Sequence, residues 1–195
     1  MGSELLDFSS RFLKKYDPNI IPGIDLPVSL AKTLLSIREA LLIRDLGKFQ
    51  RAFDDMPDDV KERFIQRLEN EPYFEEKVAR ILMDLPFLDE EEKVTWLVNF
   101  MRAYTSELID HYRLDCFRYT LRNSLVQDLE VLIEFIEANK RDPEYKWVGN
   151  IDEIVLQRLA SAGLLFGPTT TLGSVHFGVN EYGESFVTFG RGENE

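Results

Sequence analysis

The fold of the C-terminal part of this chain is decided by the stretch Ile151-Asp-Glu-Ile-Val-Leu-Gln-Arg-Leu-Ala-Ser-Ala-Gly-Leu-Leu165. Its apolar residues recur every three or four positions, which predicts one short amphipathic helix that ends at Gly163. The following residues are rich in Gly, Thr, Val and Phe and indicate β structure, with a turn at Gly167-Pro168 and a return through Val175–Val179. The segment therefore predicts a helix followed by a β-ribbon.

The last residues of the chain are compatible with two structures. Asn180-Glu181-Tyr182-Gly183 either forms a turn into a final strand at Ser185–Phe189, or Asn180 caps a final helical turn that carries Tyr182 and Phe186. The local pattern supports both structures equally. Both predictions therefore stay open at this point.

The outline of this C-terminal segment and its charge point to different partners. A short helix followed by a β-ribbon is typical of a winged helix, a fold that commonly binds DNA. Residues 151–195, however, contain six acids and two bases, a net charge of −4 that disfavours contact with phosphates. Residues 144–150 are also too few for the helix that precedes a recognition helix. We therefore expect this segment to pack on the rest of the protein or to contact a protein partner.

Helical periodicity dominates the rest of the chain, and prolines and acidic residues mark the helix ends. The predicted helices cover about residues 4–16, 28–53, 57–69, 72–85, 89–106 and, capped by Asp110, 110–141, the last as one helix or as two broken near Asn123-Ser124. The predicted fold is therefore mainly α. A helical bundle of about seven helices occupies residues 1–150, with 1–19 as a candidate N-terminal arm, and a small winged-helix-like appendage at 151–195 packs on it.

The net charge of −12 is concentrated in one stretch of the chain. Residues 54–92 hold fourteen acids and five bases, a net charge of −9. Bases alternate with these acids, and three predicted helices open on acidic residues, so a solvated helical face explains the pattern. The alternative is a docking surface for a basic protein partner. Its candidate partner-binding residues are Asp58, Asp59, Glu62, Glu69, Glu75 and Glu76.

Two further pairs of residues are candidates for partner binding. Arg118 and Arg122 lie four residues apart, with Arg113 in the same predicted helix. They could bind an anion or an acidic partner segment, or pair with acids of the bundle. Tyr145 and Trp147 could form a surface anchor for a partner, although such aromatic residues more often pack in the interior.

Catalytic and ligand-binding signatures are absent from the sequence. It contains no Gly-rich phosphate loop, no Gly-x-Ser-x-Gly, no His-Glu-x-x-His and no Cys pair. Two histidines and one cysteine exclude most nucleophile–base pairs and most nitrogen or sulfur metal sites. Glu107, His111 and Asp115 could form a proton relay or a metal site, although an ordinary polar cluster is the simpler interpretation. We therefore expect no enzymatic activity, no cofactor and no metal.

Composition also bears on the compartment and on membrane contact. Cys116 is the single cysteine, which excludes an intrachain disulfide and fits a reducing compartment, so we expect the cytoplasm. Residues 20–43 are the most hydrophobic window of the chain, but four charged residues interrupt it. These charges argue against a resting transmembrane span and leave insertion at a membrane surface open.

Five stretches carry a resemblance to known proteins. They are Ile21-Pro22-Gly23, Leu30-Ala-Lys32 with Ile37-Arg38, Glu92–Tyr104, Asp128-Leu129 with Leu132, and Leu159–Leu165. Together they resemble a group of bacterial helical proteins, without assigned function, from prophage and phage-defence (abortive-infection-like) gene neighbourhoods. The end of the chain, Val179-Asn180 with Gly183 and Phe186, is similar to the close of winged-helix domains, with Asn180 where Thr is usual. The resemblance covers most of the chain, implies a role in phage defence or prophage biology, and carries over no functional residue.

The sequence thus predicts a non-enzymatic interaction or regulatory protein that acts through an unidentified protein partner. Two alternatives stay open. One is a winged-helix DNA-binding regulator, against which the acidic charge argues. The other is a membrane-active effector that uses the 20–43 helix. Whether the chain forms a homo-oligomer is also left open.

Overall fold

A computed structural model describes residues 44–88, 90–141, 153–171 and 174–193 of the 195-residue chain. The helices are α1 (44–54 of the described part), α2 (Asp58–Asn70), α3 (Pro72–Leu82), α4 (Glu91–Thr105), α5 (His111–Asn123), α6 (Val126–Arg141), α7 (Glu153–Ser161) and α8 (Glu181–Gly190), with a 3₁₀ turn at Leu85–Phe87. Strands β1 (Leu165–Thr171) and β2 (Ser174–Val179) form an antiparallel ribbon that separates α7 from α8 in the chain. The prediction of a mainly helical protein with a C-terminal helix and β-ribbon is confirmed.

Several predictions fall outside the described residues. They are the N-terminal arm at 1–19, the hydrophobic segment at 20–43, and the connection at 144–150 that contains Tyr145 and Trp147. These stay predictions.

The chain divides into two compact units between Phe87 and Leu88. The predicted domains, a helical bundle at 1–150 and an appendage at 151–195 packed on it, stay predictions. Within the second unit, α8 packs on α4: the ring of Phe186 lies 5.3 Å from Trp96 and 5.2 Å from Phe100, between ring centroids. The C-terminal segment therefore shares a core with α4.

Aromatic contacts join the helices of the first unit. The ring centroids of Phe53 in α1 and Phe64 in α2 are 5.0 Å apart, and those of Phe64 and Phe74 in α3 are 5.2 Å apart, both in edge-on geometry. Such pairs contribute about 0.5–1.5 kcal/mol each beyond the area that they bury. The guanidinium of Arg67 covers the Phe74 ring at 4.6 Å. α2 and α3 thus bury the faces that contain Phe64 and Phe74, as the helical periodicity predicts.

Local sequence signals determine the ends of α5 and α6 in the second unit. The Asp110 carboxylate accepts the backbone N–H of Arg113 at 2.7 Å, so Asp110 is the predicted N-cap of α5. α5 ends before Ser124, whose backbone is extended at φ −92° and ψ 151°. α6 then begins at Val126. The sequence left open whether residues 110–141 form one helix or two, and the structure has two.

An aromatic cluster forms the centre of the second unit. Phe117 of α5 lies 4.9 Å from Phe100 of α4, and 5.4 Å from both Tyr182 and Phe186 of α8, measured between ring centroids. Phe100, Phe117 and Phe186 are fully buried. The C-terminal helix α8 is therefore held by the same core that joins α4 to α5.

The ribbon leads the chain directly into α8. Leu165 pairs with Val179, and the register shifts between Phe166 and Thr169, where Pro168 has no N–H to donate. After β2, the Asn180 side chain accepts the backbone N–H three residues later at 2.7 Å and starts α8. The final segment is therefore a helix, and the alternative of a third strand is wrong.

Candidate functional site

A groove lies on the surface of the second unit between α5 and α7. It consists of two adjoining cavities of about 480 and 550 Å³, and Tyr119, Thr120 and Ala162 line both. Both cavities are broadly open to solvent. We call this feature the α5–α7 groove.

One face of α5 forms the first wall of the α5–α7 groove. Tyr112, Cys116, Tyr119 and Asn123 line it and follow one another at intervals of four, three and four residues. This spacing places them on a single helical face. The other side of α5 buries Phe117 in the aromatic cluster. α5 therefore packs on the core with one face and presents the other to the groove.

The second wall is one face of α7. Ile154, Gln157, Arg158 and Ser161 line the larger cavity at helical intervals of three and four residues. Leu156 of the same helix is buried. The α7 face therefore lines the larger cavity, whereas the smaller one is bounded opposite α5 by Ala162, Gly163 and Tyr182.

Large apolar side chains are exposed along the groove. Tyr112 is 71% exposed, Tyr119 73%, Leu125 52% and Ile154 57%, and all four line one or both cavities. Single exposed hydrophobic residues are common on protein surfaces, whereas a contiguous set in a concave surface is typical of interaction sites. The grouping therefore marks the α5–α7 groove as a candidate binding surface.

A hydrogen bond between two helices forms part of the groove floor. The hydroxyl oxygens of Tyr182 in α8 and Thr120 in α5 are 2.9 Å apart. Burial is the main reason that the pKa of the Tyr182 hydroxyl is raised above its usual value, and the hydrogen bond from Thr120 opposes that effect. Cys116 lines the same cavity and is half-buried. This contact fixes the position of the α5 face relative to α8.

Arginines neutralise both acidic side chains that line the groove. Asp128 is buried and accepts hydrogen bonds from two nitrogens of Arg158, at 2.6 and 2.7 Å. Asp115 accepts a hydrogen bond from Arg118 at 2.7 Å. Such charge-assisted bonds compensate the carboxylates. The groove therefore combines apolar side chains with neutral polar groups and paired charges.

The predicted acidic docking residues lie in the first unit and pair largely within their own helices. Asp59 lies 2.9 Å from Arg63, and Glu76 pairs with Arg80. Asp58, Glu62 and Glu69 are exposed. The side chain of Glu75 lies outside what the structure describes. Intrahelical pairs are what a solvated helical face contains, and the docking surface stays a prediction.

The two arginine candidates occupy different environments on α5. Arg118 is mostly buried and pairs with Asp115, its neighbour one turn away. Arg122 is exposed at the last turn of the helix. Their role in partner binding stays a prediction, as does that of Tyr145 and Trp147, which lie outside the described residues.

Glu107, His111 and Asp115 do not form a metal site. Among the described residues, no group of three or more His, Cys, Asp or Glu side chains could hold a metal ion. Asp115 instead pairs with Arg118, and Glu107 follows α4 with a left-handed backbone at φ 59°. Among the helices of the described residues, none is both long and apolar enough to cross a membrane.

Comparison with known proteins identifies no relative of this chain. No protein family, curated protein or solved structure matches the chain.

Sequence reasoning missed the α5–α7 groove. It assigned no role to Ile154, Tyr112 or Tyr119. A signal was present, because the two tyrosines are seven residues apart on the side of α5 opposite to Leu114 and Phe117. That signal identifies an exposed helix face, but it does not indicate that α7 lies across from it.

Proposed function

We propose that this chain is a non-enzymatic protein-interaction protein, and that its α5–α7 groove receives a segment of a partner protein. The observation that carries the proposal is the set of four large side chains, Tyr112, Tyr119, Leu125 and Ile154, that are more than half exposed along one concave surface. A connection to phage defence or prophage biology rests on the resemblance of the sequence alone.

The composition of the groove suits a protein ligand. Tyrosine is enriched at protein interfaces because its ring buries a large apolar area while its hydroxyl keeps a hydrogen-bond partner. Complete burial of an aliphatic side chain such as Leu125 or Ile154 contributes about 1.5–3 kcal/mol. Four such residues in one groove can therefore supply the central anchors of a binding site.

The DNA-binding alternative loses support from the geometry of α7. Arg158 is the only base of that helix, and the buried Asp128 engages two of its nitrogens. The remaining groove-lining residues of α7 are Ile154, Gln157, Leu159 and Ser161, none of them basic. A recognition helix needs bases that are available to phosphates or base edges. We therefore favour a protein partner over duplex DNA.

Selection of peptides from a random display library against the full chain tests this proposal. We expect enriched peptides whose binding, measured by fluorescence anisotropy, weakens about tenfold or more in Tyr119→Ala and Ile154→Ala. Both residues are exposed, so their removal should leave the fold intact, which circular dichroism can verify.

Two matched controls identify the groove as the binding surface. Tyr73→Ala in the first unit and Leu108→Ala in the second remove side chains that are also more than half exposed but do not line the groove. Selected peptides should bind these variants as they bind the parent chain. A selection that enriches no peptide sensitive to Tyr119→Ala or Ile154→Ala would overturn the proposal.

A further inference from the structure

We infer that a cavity between α5 and α8 is a further binding site, and that its ligand is a free α-amino acid with an apolar side chain. The cavity has a volume of about 250 Å³ and is partly open to solvent. Its lining residues are Leu108, Ile109, Asp110, Arg113, Ser185 and Phe189. None of them lines the α5–α7 groove, so the inference goes beyond the proposed function and does not depend on it. We call this feature the α5–α8 cavity.

The Arg113 guanidinium supplies a positive charge to the α5–α8 cavity. It is partly buried, and its Cζ atom lies 5.9 Å from the ring centroid of Phe117 and 6.0 Å from that of Tyr182. Among the described residues, this guanidinium has no ion pair and no hydrogen-bond partner. A planar guanidinium binds a carboxylate through two parallel hydrogen bonds. Arg113 is therefore suited to hold the carboxylate of a ligand.

The Asp110 carboxylate supplies a negative charge to the same cavity. Its Oδ1 atom accepts the backbone N–H of Arg113 at 2.7 Å, which fixes the carboxylate as the N-cap of α5. Its Oδ2 atom has no hydrogen-bond partner within the part of the chain that the structure describes, and the residue is exposed. The two side chains thus line one cavity without pairing with each other. A ligand that carries both an ammonium group and a carboxylate would bind both of them.

Ser185 and three apolar residues complete the cavity. The Ser185 hydroxyl, on α8, has no hydrogen-bond partner among the residues described, so it can donate to a ligand carboxylate or accept from an ammonium group. Leu108, Ile109 and Phe189 form the apolar part of the lining, and Leu108 is 53% exposed. An apolar ligand side chain would cover part of this surface and remove it from water. The lining therefore favours an amino acid such as leucine or phenylalanine.

The charge of the second unit favours a zwitterion over an anion. Residues 88–195 contain nineteen acids and ten bases, a net charge of −9. Such a unit repels an anion, and a carboxylate without an ammonium group would also lie next to Asp110. An α-amino acid carries one charge of each sign at neutral pH and has no net charge. Its two charges therefore complement Asp110 and Arg113 without a general repulsion.

Titration of the isotope-labelled full chain with leucine and with phenylalanine, followed by NMR, tests the inference. We expect saturable shifts of the amide signals of Arg113 and Ser185, with a Kd of roughly 1 mM or tighter. Leucinamide lacks the carboxylate and N-acetylleucine lacks the ammonium group, so each should bind at least about tenfold more weakly than leucine. Inorganic phosphate should not compete with leucine, because it offers no positive charge to Asp110.

Two variants of the cavity and two matched controls identify the site. Arg113→Met should weaken leucine binding about tenfold or more and remove the preference for leucine over leucinamide. Asp110→Asn should remove the preference for leucine over N-acetylleucine, and it keeps the helix intact because Asn caps a helix as well as Asp does. Arg122→Met removes an exposed arginine of α5 that lies outside the cavity. It should bind leucine as the parent chain does, as should the groove variant Tyr119→Ala.

The outcomes are independent of the proposed function. If neither amino acid binds saturably, or if Arg113→Met binds leucine as tightly as the parent chain, the inference is wrong. Binding of N-acetylleucine that equals the binding of leucine would exclude recognition of the ammonium group and overturn the zwitterionic ligand. Peptides selected for the α5–α7 groove should bind Asp110→Asn as they bind the parent chain. Failure of one site therefore leaves the evidence for the other unchanged.

Discussion

Arg158 of α7 holds the buried carboxylate of Asp128 on α6 through two hydrogen bonds, from Nε to Oδ2 at 2.7 Å and from Nη2 to Oδ1 at 2.6 Å. The two residues are thirty positions apart in the chain, so the pair connects separate helices of the second unit. Asp128 is almost fully buried, whereas Arg158 remains about half exposed. The pair therefore both compensates a buried charge and positions the α7 wall of the groove.

Replacement of Arg158 by Met should lower the free energy of unfolding of the second unit by about 2 kcal/mol, because it leaves the Asp128 carboxylate buried without its partner. Denaturant titration followed by tryptophan fluorescence measures the change, since the ring of Trp96 packs against Phe186 in this unit. The double variant Asp128→Leu with Arg158→Met should recover most of the loss, because no unpaired charge remains. Arg63→Met, which removes an exposed pair with Asp59, should cost about 0.5 kcal/mol or less. Equal effects of Arg63→Met and Arg158→Met would contradict this view.

Replacement of Asn180 by Ala should destabilise the C-terminal helix by about 1–2 kcal/mol. The Asn180 side chain accepts the N–H of Gly183 at 2.7 Å and donates to the carbonyl of Gly163 at 2.9 Å. Asn180→Asp keeps the acceptor and loses the donor, so its stability should lie between those of the parent and Asn180→Ala. Thermal unfolding followed by circular dichroism measures the three proteins. A fully stable Asn180→Ala variant would show that the cap contributes nothing.

Replacement of Gly183 by Ala should destabilise the second unit by about 2 kcal/mol or more. A Cβ atom at this position would overlap the backbone carbonyl of Leu164, and the backbone cannot move as a flexible side chain does. Gly167→Ala is the matched control, because a Cβ there meets no atom within 4 Å. Chemical denaturation should therefore separate the two variants clearly. If the two variants unfold at the same denaturant concentration, α8 does not approach Leu164 this closely.

Replacement of Tyr182 by Phe should change how stability depends on pH. Burial raises the pKa of the Tyr182 hydroxyl above its usual value near 10. Between that value and the higher pKa of the folded state, the unfolded chain loses the proton while the folded protein retains it. The stabilising contribution of Tyr182 is therefore complete below pH 10 and declines as the pH rises through the pKa of the folded state.

At neutral pH, Tyr182→Phe should be less stable than the parent by about 1 kcal/mol, since Thr120 loses its hydrogen-bond partner. This difference should shrink as the pH rises above 10, because only the parent loses stability through this group. Urea titrations at several pH values from neutral to alkaline measure the difference in the free energy of unfolding between the two proteins. A difference that stays constant across this range would exclude a raised pKa of Tyr182.

The groove could be predicted only in part from the sequence. The spacing of Tyr112 and Tyr119 indicates an exposed apolar face of α5, but the opposing wall comes from Ile154 and its neighbours more than thirty residues later. Apolar periodicity indicates which face of a helix is apolar. It does not indicate which two helices lie next to each other in the fold. The acids of residues 54–92 are close in sequence, and closeness in sequence does not by itself bring side chains together in one site.

The sequence by itself determined the local features of this protein. Apolar spacing predicted the helices, Asp110 predicted the start of α5, and the segment around Gly163 predicted the change from helix to ribbon, because backbone hydrogen bonds and caps depend on neighbouring residues. The tertiary structure alone decided that residues after Asn180 form a helix, where Phe186 joins the core made by Phe100 and Phe117. It also decided that the chain divides at residue 87 and that α5 and α7 form a groove. These features depend on the burial of side chains that are far apart in the chain, and no local pattern encodes that burial.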